Sequence, residues 1–295
     1  MLRFILRGKR GADETTSTTM SETGPTIVAN ALLEMQEGEV VRPLVTNIPF
    51  PGPGLVHETP FVVVLTSEAD DELANQALDA GGSDETSPSS ATVGVHGATV
   101  MVKEIAELGS VDNIAAMAGR LIGQCITLRR EQDLVAIFTG FTNQGSANAD
   151  ITPGDLYDAY ASLRTAIAPL PYHLVMHPNN IWSSVGLISL FDNSSDALQS
   201  LGIGSVGEDF SRKGFAGMVL GFTLHATAAI TTTSNNASGA AFSPQAIKYV
   251  EKRGLRIDVE SDVANVGIQI AGTAIWGESS LRGTWGNEMQ FNQQP

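Results

Sequence analysis

Six prolines (Pro25, Pro43, Pro49, Pro51, Pro53 and Pro60) punctuate the first 60 residues and limit, more than any other feature, what this chain can fold into. Each lacks a backbone donor, holds φ near one value and pushes its predecessor toward extended geometry. A short helix is expected only at Ile27–Gly38, and Thr and Ser dominate 15–21. Residues 11–60 therefore read as an extended arm. With so little core of its own, such an arm has to lie on something, either the rest of the chain or a neighbour.

The arm leads into Phe61–Thr66 (FVVVLT), a β-branched run read as a strand, with Val93–Val102 (VGVHGATVMV) as its expected partner. Between them, residues 67–92 hold seven acids (Glu68, Asp70, Asp71, Glu72, Asp79, Asp84, Glu85) and no base. Glu68–Ala80 is a candidate short helix, and Gly81–Thr92 is rich in Gly, Ser and Thr. Connections longer than about 12–15 residues are uncommon in compact domains, so this one reads as a projecting two-stranded arm. A long helix is expected next. Ser110 is a fair N-cap, Asp112 suits the helix dipole and Gly140 can end it. Ile114, Ala118, Leu121, Cys125, Leu128 and Val135 share one face, with Asn113, Arg120, Gln124, Thr127 and Glu131 opposite. About 30 residues at ~1.5 Å each give roughly 45 Å, the length of a strut.

After a polar linker (Asn143–Ala149), Thr152 and Pro153 open a second helix whose Leu156, Tyr160, Leu163 and Ile167 share a face, and Pro169 and Pro171 stop it. Tyr172–Met176 reads as a strand, Pro178–Leu190 as helical, Phe191–Gly207 as a Gly/Ser loop, and Phe215–Thr223 and Ala226–Ile230 as short strands. Thr231–Ala240 reads as a turn, and Ser243–Val250 suits either helix or strand. Leu255–Glu260 alternates apolar and charged residues, and Val266, Ile268 and Ile270 alternate again toward Trp276, with a turn at Asp262–Asn265. This predicts a ribbon with one wet face.

Composition narrows the function. A hydrophobic fraction of 42% with 17% charged residues suits a packed core and excludes wholesale disorder. The formal charge is -15, from 17 basic and 32 acidic residues. That disfavours spontaneous nucleic-acid binding, which needs clustered Lys and Arg. The lone Cys125 points to a reducing compartment and, from its apolar neighbours, to a buried structural thiol. No apolar run reaches the ~18–20 residues of a membrane span. Met1–Arg10 places Arg3, Arg7, Lys9 and Arg10 around Phe4–Leu6, too short for a secretion signal. A mitochondrial presequence is disfavoured by Asp13 and Glu14, and Met20 is an alternative start.

Catalytic patterns are missing. Gly202-Ile203-Gly204-Ser205-Val206-Gly207 fits G-x-G-x-x-G, but neither a preceding strand nor a following amphipathic helix supports it, so it reads as a loop. His173 and His177 have the spacing of a metal-binding helix, yet they bracket a strand end and no third ligand stands out. His57, His96 and His225 are isolated, and Asp70–Glu72 reads as a solvated charge run. No catalytic, cofactor-binding or metal-binding residue, and no cofactor, is assigned.

The order of elements resembles the tailed-bacteriophage major capsid protein with the Hong Kong 97-type fold. Three local phrases carry the likeness. DLYDAYASLRTAI (155–167) before YHLVMHPNNIWSSV (172–185) resembles that family's helix, strand and next helix start. GMVLGFTLHAT (217–227) resembles its strand near the local symmetry axis, and AFSPQAIKYVEKRGLRIDVESD (241–262) resembles its return ribbon. The resemblance implies an α+β fold with an N-terminal arm (1–60) and an extended β-hairpin loop (61–104). It also implies a peripheral domain (105–149 and 253–283, spine helix 110–140) and an axial domain (150–252 and 284–295). It further implies a non-enzymatic homo-oligomer of hexamers and pentamers tiling an icosahedral shell around double-stranded DNA, without sequence-specific binding and without a membrane. Portal, scaffolding and cement or decoration proteins are the implied partners, and the virion, assembled in the host bacterial cytoplasm, is the implied location. The covalent cross-link of the fold's namesake is not carried over. The five lysines (Lys9, Lys103, Lys213, Lys248, Lys252) all lie outside the acidic stretch. Two alternatives stand beside this reading: an encapsulin-type nanocompartment shell, and a soluble enzyme with an unrecognised site.

Overall fold

The computed structural model describes residues 27–35, 38–62, 86–103, 114–146, 148–183, 186–187, 218–233, 235–262 and 267–292. They fall into two compact units. The first takes residues up to Glu39, Val95–Arg130 and Arg253–Ile275; the second takes Val40–Gly94, Glu131–Lys252 and everything from Trp276 on.

In the first unit, β4 (Gly94–Lys103) and the end of β11 (Ile247–Asp262) flank the start of β12 (Gly267–Ser280). The alternating residues of β11 and β12 form the predicted pair with one wet face, extended by β4. Helix α2 (Ile114–Ala136) covers the dry face. Gly272 lets it approach: a Cβ there would collide with Ile122 and come within 3.5 Å of Ile126 Cδ1. Helix α1 (27–35) matches the expected short helix and packs on another stripe of α2. Its Ile27, Ala31 and Met35 recur every fourth residue and are buried. At Gly119 and Gly123 an added Cβ would lie 2.6 Å from the carbonyl oxygens of Ile27 and Ala31, so the two backbones meet where side chains are absent.

This sandwich corrects the expected face of α2. Ala118, Ile122 and Ile126 are buried, as are Thr127 and Glu131, which the spacing puts on the polar side. Leu121 and Leu128 are 50% and 52% exposed, and Cys125 is exposed rather than a buried structural thiol. The helix buries two adjacent stripes, one on the sheet and one on α1, and the second is built of glycines that carry no hydrophobic signal. A 3-10 turn, Ile137–Gly140, continues α2 to the glycine expected to end it.

The second unit is built on a sheet of order β5-β13-β10-β6-β8-β7, with β9 beside β10. Its strands are β5 (Thr142–Asn143), β6 (Tyr172–Met176), β7 (Met218–Val219), β8 (Phe222–Ala226), β9 (Thr232–Thr233), β10 (Asn236–Phe242) and β13 (Gly286–Asn292). Strand β6 has the predicted bounds. The stretch expected to turn at Thr231–Ala240 is instead β9 and most of β10, because small residues (NASGAAF) pair on both sides without an apolar alternation to reveal them. Among the described residues, only β8 and the short β7 form in the region expected to hold strands at Phe215–Thr223 and Ala226–Ile230. Pro244–Ala246 is a 3-10 turn before β11, which decides the open choice at Ser243–Val250.

Helix α3 (Pro153–Thr165) starts as predicted, with proline at its first position and a reciprocal capping box. Asp155 N–H donates to Thr152 Oγ1 and Thr152 N–H donates to Asp155 Oδ2, at 3.4 and 2.8 Å. Leu156, Ala159 and Leu163 are buried, and Asn287 of β13 donates to Ala159 O at 3.1 Å. Ile167 does not join this face. It lies beyond the helix at φ 56° and is 70% exposed. Helix α4 (Pro178–Trp182) is the described start of the helical stretch expected to Leu190.

Strand β1 (Thr46–Pro49) runs parallel to the start of β11, with Thr46 opposite Lys248. Strands β2 (Val56–Val62) and β3 (Thr86–Thr92) form a separate two-stranded ribbon. Here too the expectation is corrected. The partner of the Phe61 strand is residues 86–92, within the connection read as a projecting two-stranded arm, and not Val93–Val102, since β4 pairs with β12. The strand TSPSSAT has no apolar residue except alanine, so nothing in its pattern announces it.

Candidate functional site

The described residues hold no obvious reaction centre, and their most elaborate polar arrangements hold the backbone at 39–42 and the β2–β3 ribbon. In the first unit, buried Arg130 of α2 makes an ion pair with Glu39. In the second, the next residue, Glu131, is buried and accepts the backbone N–H groups of Val40 (3.0 Å), Val41 (2.9 Å) and Arg42 (3.4 Å). Three consecutive amide donors on one carboxylate make a compact anion nest. Arg42 then reaches Glu251 at 2.7 Å and lies over the Tyr249 ring at 5.3 Å.

The ribbon is anchored at its base by β11. Lys248 is fully buried and donates to Thr59 Oγ1 at 3.3 Å and to Ser89 O, one residue on each strand of the ribbon. Burial pushes its ammonium below the usual lysine range, and the Glu58 carboxylate pushes the other way. Lys252 donates to Gly54 O and sits over the Phe50 ring at 5.0 Å, and Ser89 Oγ donates to Ser280 O at 2.7 Å. One face of the ribbon (His57, Thr59, Ser89, Ala91) is turned inward, while Val56, Glu58, Pro60, Pro88, Ser90 and Thr92 are exposed.

The residues weighed for chemistry do not converge. His177 caps α4 by accepting Asn179 N–H at 3.2 Å. His173 instead meets His225, which is therefore not isolated; their ring centres are 5.4 Å apart across the parallel β6–β8 pair. Burial, then the neighbouring His225, lowers the His173 pKa to about 4, and burial lowers those of His225 and His177. No group of three or more His, Cys, Asp or Glu suited to a metal ion occurs among the described residues. The glycine stretch 202–207 and the acids at 70–72 lie outside the described residues. No described helix is long and apolar enough to cross a membrane. Sequence reasoning misses both anchors. Glu131 reads as a solvated helix position, and Lys248 lies in a segment whose pattern suits either helix or strand.

No family model and no curated protein matches the sequence. Solved structures do match. The chain is similar to the capsid of Ralstonia phage GP4, with 13% identity, a TM-score of 0.63, and coverage of 85% of this chain and 88% of that one. It is similar to the capsid of cyanophage P-SCSP1u at 15% identity and TM-score 0.60, over 87% and 89% of the two chains. A virus-like particle from Pyrococcus furiosus matches at 9% identity and TM-score 0.60, over 91% and 99%. At such identities the likeness is one of fold: the chain has the α+β fold of tailed-phage major capsid proteins, the Hong Kong 97-type fold its sequence resembles.

Proposed function

We propose that this chain is the structural major capsid protein of a tailed phage. Its copies self-assemble as hexamers and pentamers into an icosahedral head enclosing double-stranded DNA, and it catalyses no reaction. The fold carries this reading, since it is shared with phage capsids over 85% of the chain. The anchored arm and ribbon support it. The backbone at 40–42 is held by Glu131, and the β2–β3 ribbon, a two-stranded sheet of its own, is held by Lys248.

In this reading residues 1–60 are the arm, 61–104 the extended loop, 105–149 with 253–283 the peripheral domain, and 150–252 with 284–295 the axial domain. Assembly takes place in the host bacterial cytoplasm and the product is the virion, with portal, scaffolding and decoration proteins as partners. The charge of -15 suits a wall that encloses DNA without adhering to it.

The match to the Pyrococcus furiosus virus-like particle, over 99% of that chain, favours a second reading: a nanocompartment shell around protein cargo. Expression of the full chain followed by size-exclusion chromatography and negative-stain electron microscopy tests both. Closed shells, or rings of five and six, are expected. Nuclease-resistant DNA in particles purified from phage-producing cells supports the head, and a defined co-purifying protein supports the compartment. A monomer in every condition, including co-expression with neighbouring phage genes, overturns both.

A further inference from the structure

The β2–β3 ribbon is a two-stranded sheet that pairs with no other strand among the described residues, although at its β4 end Thr92 O packs against Gly277 of β12. An unpaired edge is a template for strands of other molecules. Its register sets Pro60 directly opposite Pro88. In an antiparallel ladder, directly opposed pairs alternate between those that exchange hydrogen bonds and those whose N–H and C=O groups point away from the partner. The phase here is set by Val93 N–H, which donates to Leu55 O at 2.8 Å. Counting from that bonded pair along the register, 57/91, 59/89 and 61/87 are bonded, while 56/92, 58/90, 60/88 and 62/86 point outward.

Both prolines therefore occupy outward positions. Neither breaks a rung of the ribbon, and each deletes a donor from one outer edge and puts ring carbons where an incoming carbonyl would sit. Each edge has four outward residues, and the proline is an interior one of the four on both strands. An arriving strand meets the obstruction whichever edge it approaches. We propose that Pro60 and Pro88 form a matched edge block that keeps the ribbon from adding strands of other copies when the chain is concentrated. The inference stands on register and hydrogen-bond phase and holds whether or not the chain forms a shell.

The double variant Pro60→Thr/Pro88→Thr restores a donor to each edge with a strand-forming residue. At rising concentration it is expected to bind thioflavin T several-fold more than the parent and to form elongated assemblies by electron microscopy. Adding Glu58→Pro and Ser90→Pro to that variant moves the block to the adjacent facing outward pair, and is expected to return both readouts to parental levels. The proposal is overturned if the double variant stays as silent as the parent, or if relocating the prolines leaves the association unchanged. Should the double variant lose its native circular dichroism, the single variants Pro60→Thr and Pro88→Thr, each opening one edge, decide by the same readouts.

Discussion

The Glu131 carboxylate is 3% exposed and collects the N–H groups of Val40, Val41 and Arg42. Replacing it strands the buried donor of Val41, at a cost of about 1–3 kcal/mol, and the half-buried donors of Val40 and Arg42 at less. Glu131→Ala is expected to destabilise the chain by about 2–4 kcal/mol in urea unfolding, and Glu131→Gln, which keeps one acceptor oxygen, by roughly half that. An unchanged midpoint would show that the nest contributes nothing. The histidine pair gives a pH signature. His173 has a folded pKa of about 4, below its ordinary 6.5, so below pH 6.5 the unfolded chain binds protons that the native chain refuses. Stability from this group is complete above pH 6.5 and is lost as the pH falls toward 4, and the lowered His225 acts in the same sense. His173→Gln should flatten the pH dependence of the urea midpoint across that window; parallel curves for variant and parent would refute the assignment. Neither role is legible in the sequence, because Glu131 and its partner Val40 are 91 residues apart and His173 and His225 come together only through strand pairing.

Among the elements, α2 is the most instructive. Helix propensity alone says that Gly119→Ala and Gly123→Ala should stabilise it by about 1 kcal/mol each. Packing says the reverse, because each new Cβ would come 2.6 Å from a carbonyl oxygen of α1. Overpacking of this kind costs about 1–3 kcal/mol. Each variant is therefore expected to unfold more easily and to speed amide exchange in residues 27–35, and a rise in thermal stability would mean that α1 does not rest on these glycines. The same helix shows where pattern reading fails. Its existence and its glycine stop were legible from spacing, but its buried side was not, since the weight given to Leu121 and Leu128 is absent from Gly119 and Gly123. Strand β6, four of whose five residues are buried Tyr, Leu, Val and Met, was legible to the residue. Strands β3 and β10, composed mostly of Ser, Thr, Gly and Ala, were not, because what makes them strands is the neighbour they pair with.

For the whole molecule, net charge opposes association. Each copy carries -15, so bringing copies together works against the repulsion of like charges. The screening length falls from about 10 Å at 0.1 M salt to about 3 Å at 1 M. Light scattering of the purified chain is expected to show a larger assembled fraction at 1 M than at 0.1 M NaCl, while a decrease would indicate cohesion by exposed ion pairs instead. By itself, the sequence determined what depends on local chemistry: the short helix at 27–35, the capped start of α3, the alternating β11 and β12, and the order of elements that resembles a capsid protein. Only the tertiary structure decided which stripe of α2 is buried, which strand completes the ribbon, and that Glu131 and Lys248 hold the backbone at 40–42 and the ribbon. Those outcomes depend on contacts between residues far apart in the chain, where the geometry of approach, and not the character of either segment, sets the energy.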